Sequence, residues 1–246
     1  MPAVPAWPPK SLPRLFVGMT LGVGAMVELD AAQANYVGNV MRLREGGELL
    51  LFDGVSGEWL ARVAEAGKRT MILTVERLTK SSEAVPDLWL AFAPVKRGPV
   101  EWLVEKATEL GVARMFPVVT KRTVVERLRL ERLEAIMIEA AEQCGRTLLP
   151  AIAEPIALEK FLVARDAART LYFADETGGD PIGAAFSPGP SLILTGPEGG
   201  FTPDERDMIR AQANSRAVSL GPRILRAETA ALAAVAGWMA LAGDWR

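Results

Sequence analysis

The sequence predicts an α/β protein: a mostly parallel sheet with helices on both faces, preceded by a compact β-barrel-like module. Three observations carry that prediction. From Leu88 onward, short apolar runs alternate with amphipathic runs of helical length, which is the rhythm of a parallel sheet covered on both sides. Between about residues 14 and 80 the signals are instead β-rich, with a single helical stretch. Between the two lies TKSSEAVPD (79–87), a polar, proline-containing segment. It places the domain boundary between residues 78 and 79, giving units 1–78 and 79–246.

In chain order, residues 1–13 hold five prolines and read as an extended arm. DAAQANYVGNVMRLREG (30–46) reads as a helix with Asp30 as its cap and Gly46 as its stop. GGELLLFDGVSGEWLARVAEAGKRTMILTVERL (46–78) supplies three strands, the first two joined by the hairpin turn DGVSG. In the second unit LWLAFAP is a strand, GPVEWLVEKATELG a helix ending at Gly111, and ARMFPVVT a strand. RLERLEAIMIEAAEQCG is a helix, TLYFAD and SLILTG are strands, and TPDERDMIRAQAN is a helix. RAVSLG is the last strand and AETAALAAVAGWMALAG the closing helix. No internal repeat interrupts this order.

Composition narrows the chemistry. Half of the 246 residues are hydrophobic and 24% are charged, an ordinary globular balance. No basic leader opens the sequence, and the longest apolar stretch, Ala230 to Gly243, falls short of the ~20 residues a bilayer requires. A cytoplasmic location is expected. Cys144 is the single cysteine, so neither an intrachain disulfide nor a cysteine-based metal cluster can form, and no metal is expected. Histidine is absent, which excludes every mechanism that needs imidazole as base, ligand or activator. A net charge of −2 argues against a general nucleic-acid coat but permits local basic faces. Two candidates are Arg14, Arg42 and Arg44, and the run KRTVVERLRLER (121–132), which begins with Lys121 and Arg122. The second also reads as a solvated helix with Glu126 and Glu131 interleaved.

Three glycine-containing segments are candidate ligand loops. LGVGAMVELD (21–30) has Gly22 and Gly24 but lacks a third glycine, and Asp30 lies too near to meet a ribose. LTGPEGGFTPDE (194–205) is better placed, between a strand and a helix. Thr202 suits the helix cap and Pro203 the first helical position. Asp204 and Glu205 then complement the positive helix end, while Glu198 would repel a second anion. With no lysine or arginine in the turn, the loop suits a neutral or cationic ligand rather than a phosphate. LGPRILRAETAAL (220–232) also follows a strand and opens a helix, carrying Arg223 and Arg226 beside Glu228 and Thr229. Loops beyond the carboxyl ends of neighbouring parallel strands converge on one crevice, so the two segments can form one binding wall.

These two segments resemble the ribosomal RNA small subunit methyltransferase E family, of the SPOUT class. GNVMRLREGGELLLFDG (38–54), KRGPVEWLVEKATELGV (96–112) and EAAEQCGR (139–146) extend the resemblance in the same order along most of the chain. The resemblance implies an N-terminal PUA-like RNA-binding barrel and a C-terminal domain tied in a trefoil knot. It also implies a homodimer that uses S-adenosylmethionine to methylate N3 of a uridine of 16S rRNA in the small ribosomal subunit. Cofactor binding carries over to Leu194, Thr195, Gly196, Glu198, Gly199, Leu220, Gly221, Ile224, Leu225, Arg226, Thr229 and Ala230. Where the family often has a histidine, this chain has Tyr36, which can stack on a base.

The chemistry implied fits these residue types. A sulfonium ligand suits a backbone-rich loop containing Glu198. Transfer to N3 requires loss of a weakly acidic proton and leaves charge on the uracil oxygens. Arginine stays protonated, so Arg226 is a candidate to hold those oxygens rather than a base. A base would be Glu198, Glu228 or water, and Glu228 can equally belong to its helix start. Arg14, Tyr36, Arg42, Arg44, Lys121 and Arg122 are the candidate RNA contacts. A non-catalytic RNA-binding protein, a nucleotide-dependent oxidoreductase and a methyltransferase acting on another RNA nucleotide are the competing readings. The acidic turn and the broken fingerprint at 21–30 disfavour the oxidoreductase.

Overall fold

The computed structural model describes residues 12–67, 70–95, 97–124 and 128–245. The proline arm up to residue 11, and residues 125–127 of the second basic run, lie outside the described residues. The chain forms two compact units, one of residues up to 83 together with Gly145–Leu148, the other of 84–144 and 149–246. Gly145–Leu148 counts with the first unit for a definite reason. Oε1 of Glu83 accepts from the Thr147 and Leu148 amides at 2.9 and 3.0 Å, and the Glu83 amide donates to Oγ1 of Thr147 at 3.0 Å. Nζ of Lys80 reaches the Gly145 carbonyl at 3.0 Å.

The first unit contains β1 (Arg14–Phe16), β2 (Met26–Leu29), α1 (Ala31–Asn35), β3 (Glu48–Phe52), β4 (Glu58–Ala66) and β5 (Met71–Lys80). The sheet order is β1-β3-β4-β5-β2, with β1 parallel to β3 and the remaining pairs antiparallel. Alternate residues (Leu49, Leu51, Val63, Leu73 and Val75) turn inward to one apolar core. Three register shifts along β4 and β5 bend the sheet around that core.

The helix expected over 30–46 is shorter than its pattern suggests. Asp30 caps α1 with a full capping box, its carboxylate accepting from the Gln33 amide at 2.8 Å. Beyond Asn35 the backbone relaxes into a π-helical turn, Tyr36–Val40, and Arg42 then adopts a left-handed φ of 59°. That conformation cannot continue a right-handed helix, so the element ends before Gly46 is reached.

The second unit contains β6 (Leu88–Phe92), α2 (Arg97–Glu109), β7 (Arg114–Val119), α3 (Leu130–Cys144), β8 (Ala151–Ile152), β9 (Ile156–Ala157) and α4 (Leu158–Ala164). It continues through β10 (Thr170–Ala174), β11 (Asp180–Pro181), α5 (Ile182–Ala185), β12 (Ser191–Thr195), α6 (Pro203–Arg210), β13 (Ser215–Ser219) and α7 (Ala227–Leu241). Its strands run β11-β13-β10-β12-β6-β7-β8, every pair parallel, with β9 also on β7. Side chains leave the strands alternately, so Leu88, Leu90, Phe92, Tyr172 and Ile193 pack under α2, α3, α5 and α7. Ala91, Leu171, Phe173, Leu192 and Leu194 pack under α4 and α6. The helices thus cover both faces, as the alternating rhythm predicts. The short elements α4, α5, β8, β9 and β11 were not expected, because two to seven residues are too few to show a period.

The DGVSG turn generates a pH prediction. The Asp53 carboxylate accepts from the Ser56 hydroxyl at 2.6 Å and from the amides of Ser56, Val55 and Leu21 at 2.7, 2.9 and 3.1 Å. Partial burial pushes its pKa up, but these four hydrogen bonds together outweigh burial and hold it below its ordinary value of 3.8. A lowered carboxylate contributes stability at higher pH that is lost as pH falls through its folded value. Asp53→Asn should therefore lower the urea midpoint at neutral pH and shrink the gap to wild type below about pH 4. A gap independent of pH would remove Asp53 from the acid response.

Candidate functional site

The order β13-β10-β12 places three loops side by side at the carboxyl ends of these strands. They wall a cleft that opens to solvent. Ala174, Asp175, Glu176 and Gly178 line it from β10. Thr195, Gly196, Pro197, Glu198, Gly200 and Phe201 line it from β12, and Val218 to Leu225 from β13. Arg206 of α6 and Ala227 and Ala230 of α7 complete the wall.

Local sequence explains why the β12 loop holds its shape. Thr202 and Glu205 form a capping box, with the Thr202 amide donating to Oε2 of Glu205 at 2.8 Å and the Glu205 amide to Oγ1 of Thr202 at 3.3 Å. Glu205 is fully buried, and its Oε1 also accepts from the Lys121 amide at 2.7 Å. The segment after β7 is thereby clipped to the start of α6. From there Arg122 extends to the β12 loop and donates to the Gly199 carbonyl at 2.6 Å.

The β10 loop is held by Asp175, whose side chain is 1% exposed. Its Oδ1 accepts from the amide and hydroxyl of Thr177 at 2.9 and 2.8 Å, and its Oδ2 pairs with Arg210 at 2.6 Å. Glu176, next in the chain, faces the cleft and pairs with Arg206 of α6 at 3.5 Å.

Comparison with known proteins gives this architecture a family. Residues 81–239 match the model of an RNA methyltransferase domain, and residues 29–76 match that of an RNA methyltransferase PUA domain. A ribosomal RNA small subunit methyltransferase E of Synechocystis is 34% identical over 91% of this chain and 76% of its own length. That of Rickettsia conorii is 31% identical over 91% of this chain and 93% of its own. The chain belongs to the ribosomal RNA small subunit methyltransferase E family. The family's enzyme from Neisseria gonorrhoeae, solved bound to S-adenosyl methionine, superposes with a TM-score of 0.88 at 28% identity. That match covers 96% of this chain and all of the other.

Of the positions nominated from the sequence, Thr195, Gly196, Glu198, Leu220, Gly221, Ile224, Leu225 and Ala230 line the cleft. Leu194 is instead buried in the core below α4 and α6, and Gly199 serves through its carbonyl as the anchor for Arg122. Arg226 is exposed at the N-cap of α7, and Thr229 is exposed one residue beyond Glu228. Neither Arg226 nor Thr229 is among the cleft-lining residues. Glu228 is almost wholly buried, and its Oε2 has no hydrogen-bond partner among the described residues.

The basic candidates divide. The Arg14 side chain is only 10% exposed, pairing with Glu58 at 2.7 Å, donating to the Arg146 carbonyl at 2.7 Å and lying over Phe52. It holds the first unit together rather than facing solvent. Arg122 is engaged with Gly199, while Lys121 sits 3.5 Å from Asp204 at the surface. Tyr36, Arg42 and Arg44 are exposed, with Arg44 donating to the Gly38 and Leu43 carbonyls. Asp175, Glu176 and Arg206 were missed by the sequence reading. The signal was present in ADETGG (174–179), a third strand-to-turn segment with paired glycines and two acids.

Gly200 offers a test of the loop geometry. Its φ is +65°, and a Cβ there would collide with the carboxylate of Glu176. Gly200→Ala should therefore cost roughly 1–2 kcal/mol of backbone strain and push Glu176 out of place. The expected readout is a thermal midpoint lower by roughly 2–8 °C. A midpoint equal to wild type would mean the loop does not hold this conformation.

Proposed function

We propose that this chain is an S-adenosylmethionine-dependent methyltransferase that modifies N3 of a uridine of 16S rRNA in the small ribosomal subunit. The observation that carries this reading is the cleft at the β13-β10-β12 edge, which lies within the stretch matching the RNA methyltransferase family. The names of its relatives and the ligand of its structural neighbour support the substrate and the cofactor. The residues present fit that cofactor. The walls are rich in glycine and backbone, and the exposed carboxylates Glu176 and Glu198 line them beside Arg206 and Arg223, so the cleft offers acceptors and a carboxylate for a sulfonium ligand.

S-adenosylmethionine supplies a methyl group activated by its sulfonium. The chain's own residues position and stabilise. Loops after β12 and β13 fix the donor so that transfer can occur in line, which accounts for much of the rate. Arg226, exposed between cleft-lining Leu225 and Ala227, is assigned the role of holding the uracil oxygens as charge develops on them, a role supported by its position beside the cleft. Glu198, exposed on the cleft wall and without an ion pair among the described residues, is assigned the N3 proton. Glu228 is sealed in the first turn of α7 and is assigned no contact with substrate. Tyr36, Arg42 and Arg44 present one stacking ring and two cations to RNA from the first unit. A homodimer, a cytoplasmic location and a knotted C-terminal thread belong to the same reading. Ile224, 93% exposed on the cleft rim, is an apolar side chain that a second copy would cover.

The decisive experiment incubates the protein with S-adenosylmethionine and small subunits lacking the modification, then maps reverse-transcriptase stops. One new stop at a uridine is expected, because N3 methylation blocks the pairing edge; no new stop would overturn the reading. Arg226→Ala should reduce transfer by about 100-fold or more while leaving cofactor binding measurable. Near-normal turnover would remove Arg226 from the mechanism. Replacing Arg42 and Arg44 together with Ala should weaken RNA binding and reduce its slope against log salt by about 2. An unchanged slope would show that these arginines do not meet phosphate.

A further inference from the structure

The cleft holds a carboxylate that the cofactor reading does not yet use. Glu176 leaves the end of β10 on a turn fixed by its neighbour, since buried Asp175 is fully engaged by Thr177 and Arg210. Its own side chain remains 48% exposed and lines the cleft. On one side the carboxylate pairs with Arg206, whose side chain is only 19% exposed. On the other it lies directly against the backbone of Gly200, at the place where any other residue would carry a Cβ. The absence of that carbon is what lets a carboxylate sit against the glycine loop.

We propose that Glu176 is a further cofactor-binding residue, its carboxylate accepting hydrogen bonds from the two ribose hydroxyls of S-adenosylmethionine. The proposal rests on the cofactor reading above. Three arguments favour the diol over the cationic parts of the ligand. Arg206 already balances the charge of Glu176, so what remains is acceptor capacity rather than net charge. Glu198, exposed and without an ion pair among the described residues, is the stronger attraction for a cation. Finally, β10 is hydrogen-bonded to β12, and a carboxylate at the end of the strand beside a glycine loop is how parallel sheets elsewhere take a ribose.

The test is a binding cycle by calorimetry on the full chain, using S-adenosylmethionine, S-adenosylhomocysteine, its 2′-deoxy and 3′-deoxy analogues, and its analogue lacking the amino group. Glu176→Gln should weaken S-adenosylmethionine and S-adenosylhomocysteine alike, by about 10-fold or more, because both carry the ribose. Loss of either hydroxyl should weaken wild type by a similar factor and cost the variant little. The penalty for removing the amino group should be the same in both proteins. Unchanged affinity in the variant, a loss confined to S-adenosylmethionine, or coupling to the amino group instead of a hydroxyl would each overturn the proposal. Glu176→Asp, which keeps the charge, gives the same cycle should Glu176→Gln fail to fold. Wild type that binds neither compound would overturn the cofactor reading itself, whereas wild-type binding with no coupling to the hydroxyls overturns only the role of Glu176.

Discussion

A fully buried carboxylate, that of Glu205, holds the site's loops in one arrangement. A carboxylate removed from water must be met by donors, and here both donors are backbone amides, of Thr202 and of Lys121. The first closes the helix cap; the second draws in the segment that follows β7. Once that segment is in place, Arg122 can reach the Gly199 carbonyl and brace the β12 loop from outside. Glu205 also sits in the first turn of α6, where the helix dipole favours a negative charge. One side chain thus satisfies a helix start and joins two loops that are some 80 residues apart in sequence.

Charge decides what the cleft can hold. Glycines at this edge of a parallel sheet would ordinarily suggest a phosphate cradle, but the carboxylates of Glu176 and Glu198 line the walls and that of Asp175 is buried behind them. Two of them are compensated, Asp175 by Arg210 and Glu176 by Arg206. Glu198, without an ion pair among the described residues, gives a positive ligand a partner on the cleft wall. The family to which the chain belongs, and the ligand found in its structural neighbour, agree with that electrostatic reading.

The first unit shows how far residue type and residue role can diverge. Arg14, Arg42 and Arg44 look equivalent as a basic group in the sequence. In the fold Arg14 is consumed by Glu58, a carbonyl and the face of Phe52, all distant in sequence. Arg42 stays exposed because a left-handed backbone turns the chain there at the end of the π-helical turn. No periodicity reports such partners, since they lie from 38 to 132 residues away in the chain.

What the sequence determined by itself is local: the alternation that makes a parallel sheet covered on both faces, the caps at Asp30 and Thr202, and the two loops GPEGG and LGPRILRAET as walls of one crevice. The alternation and the caps follow from side-chain period, backbone freedom or charge within a few residues, and the pairing of the two loops follows from the parallel-sheet rhythm. The early end of the first helix, the transfer of Gly145–Leu148 to the first unit and the engagement of Arg14 and Arg122 were decided only by tertiary structure. So was the inclusion of ADETGG in the cleft, because only strand order brings β10 between β12 and β13. The dividing line is physical: a cap or a turn is satisfied by its neighbours, whereas a buried charge or a cleft wall is completed by whichever strand the sheet places beside it.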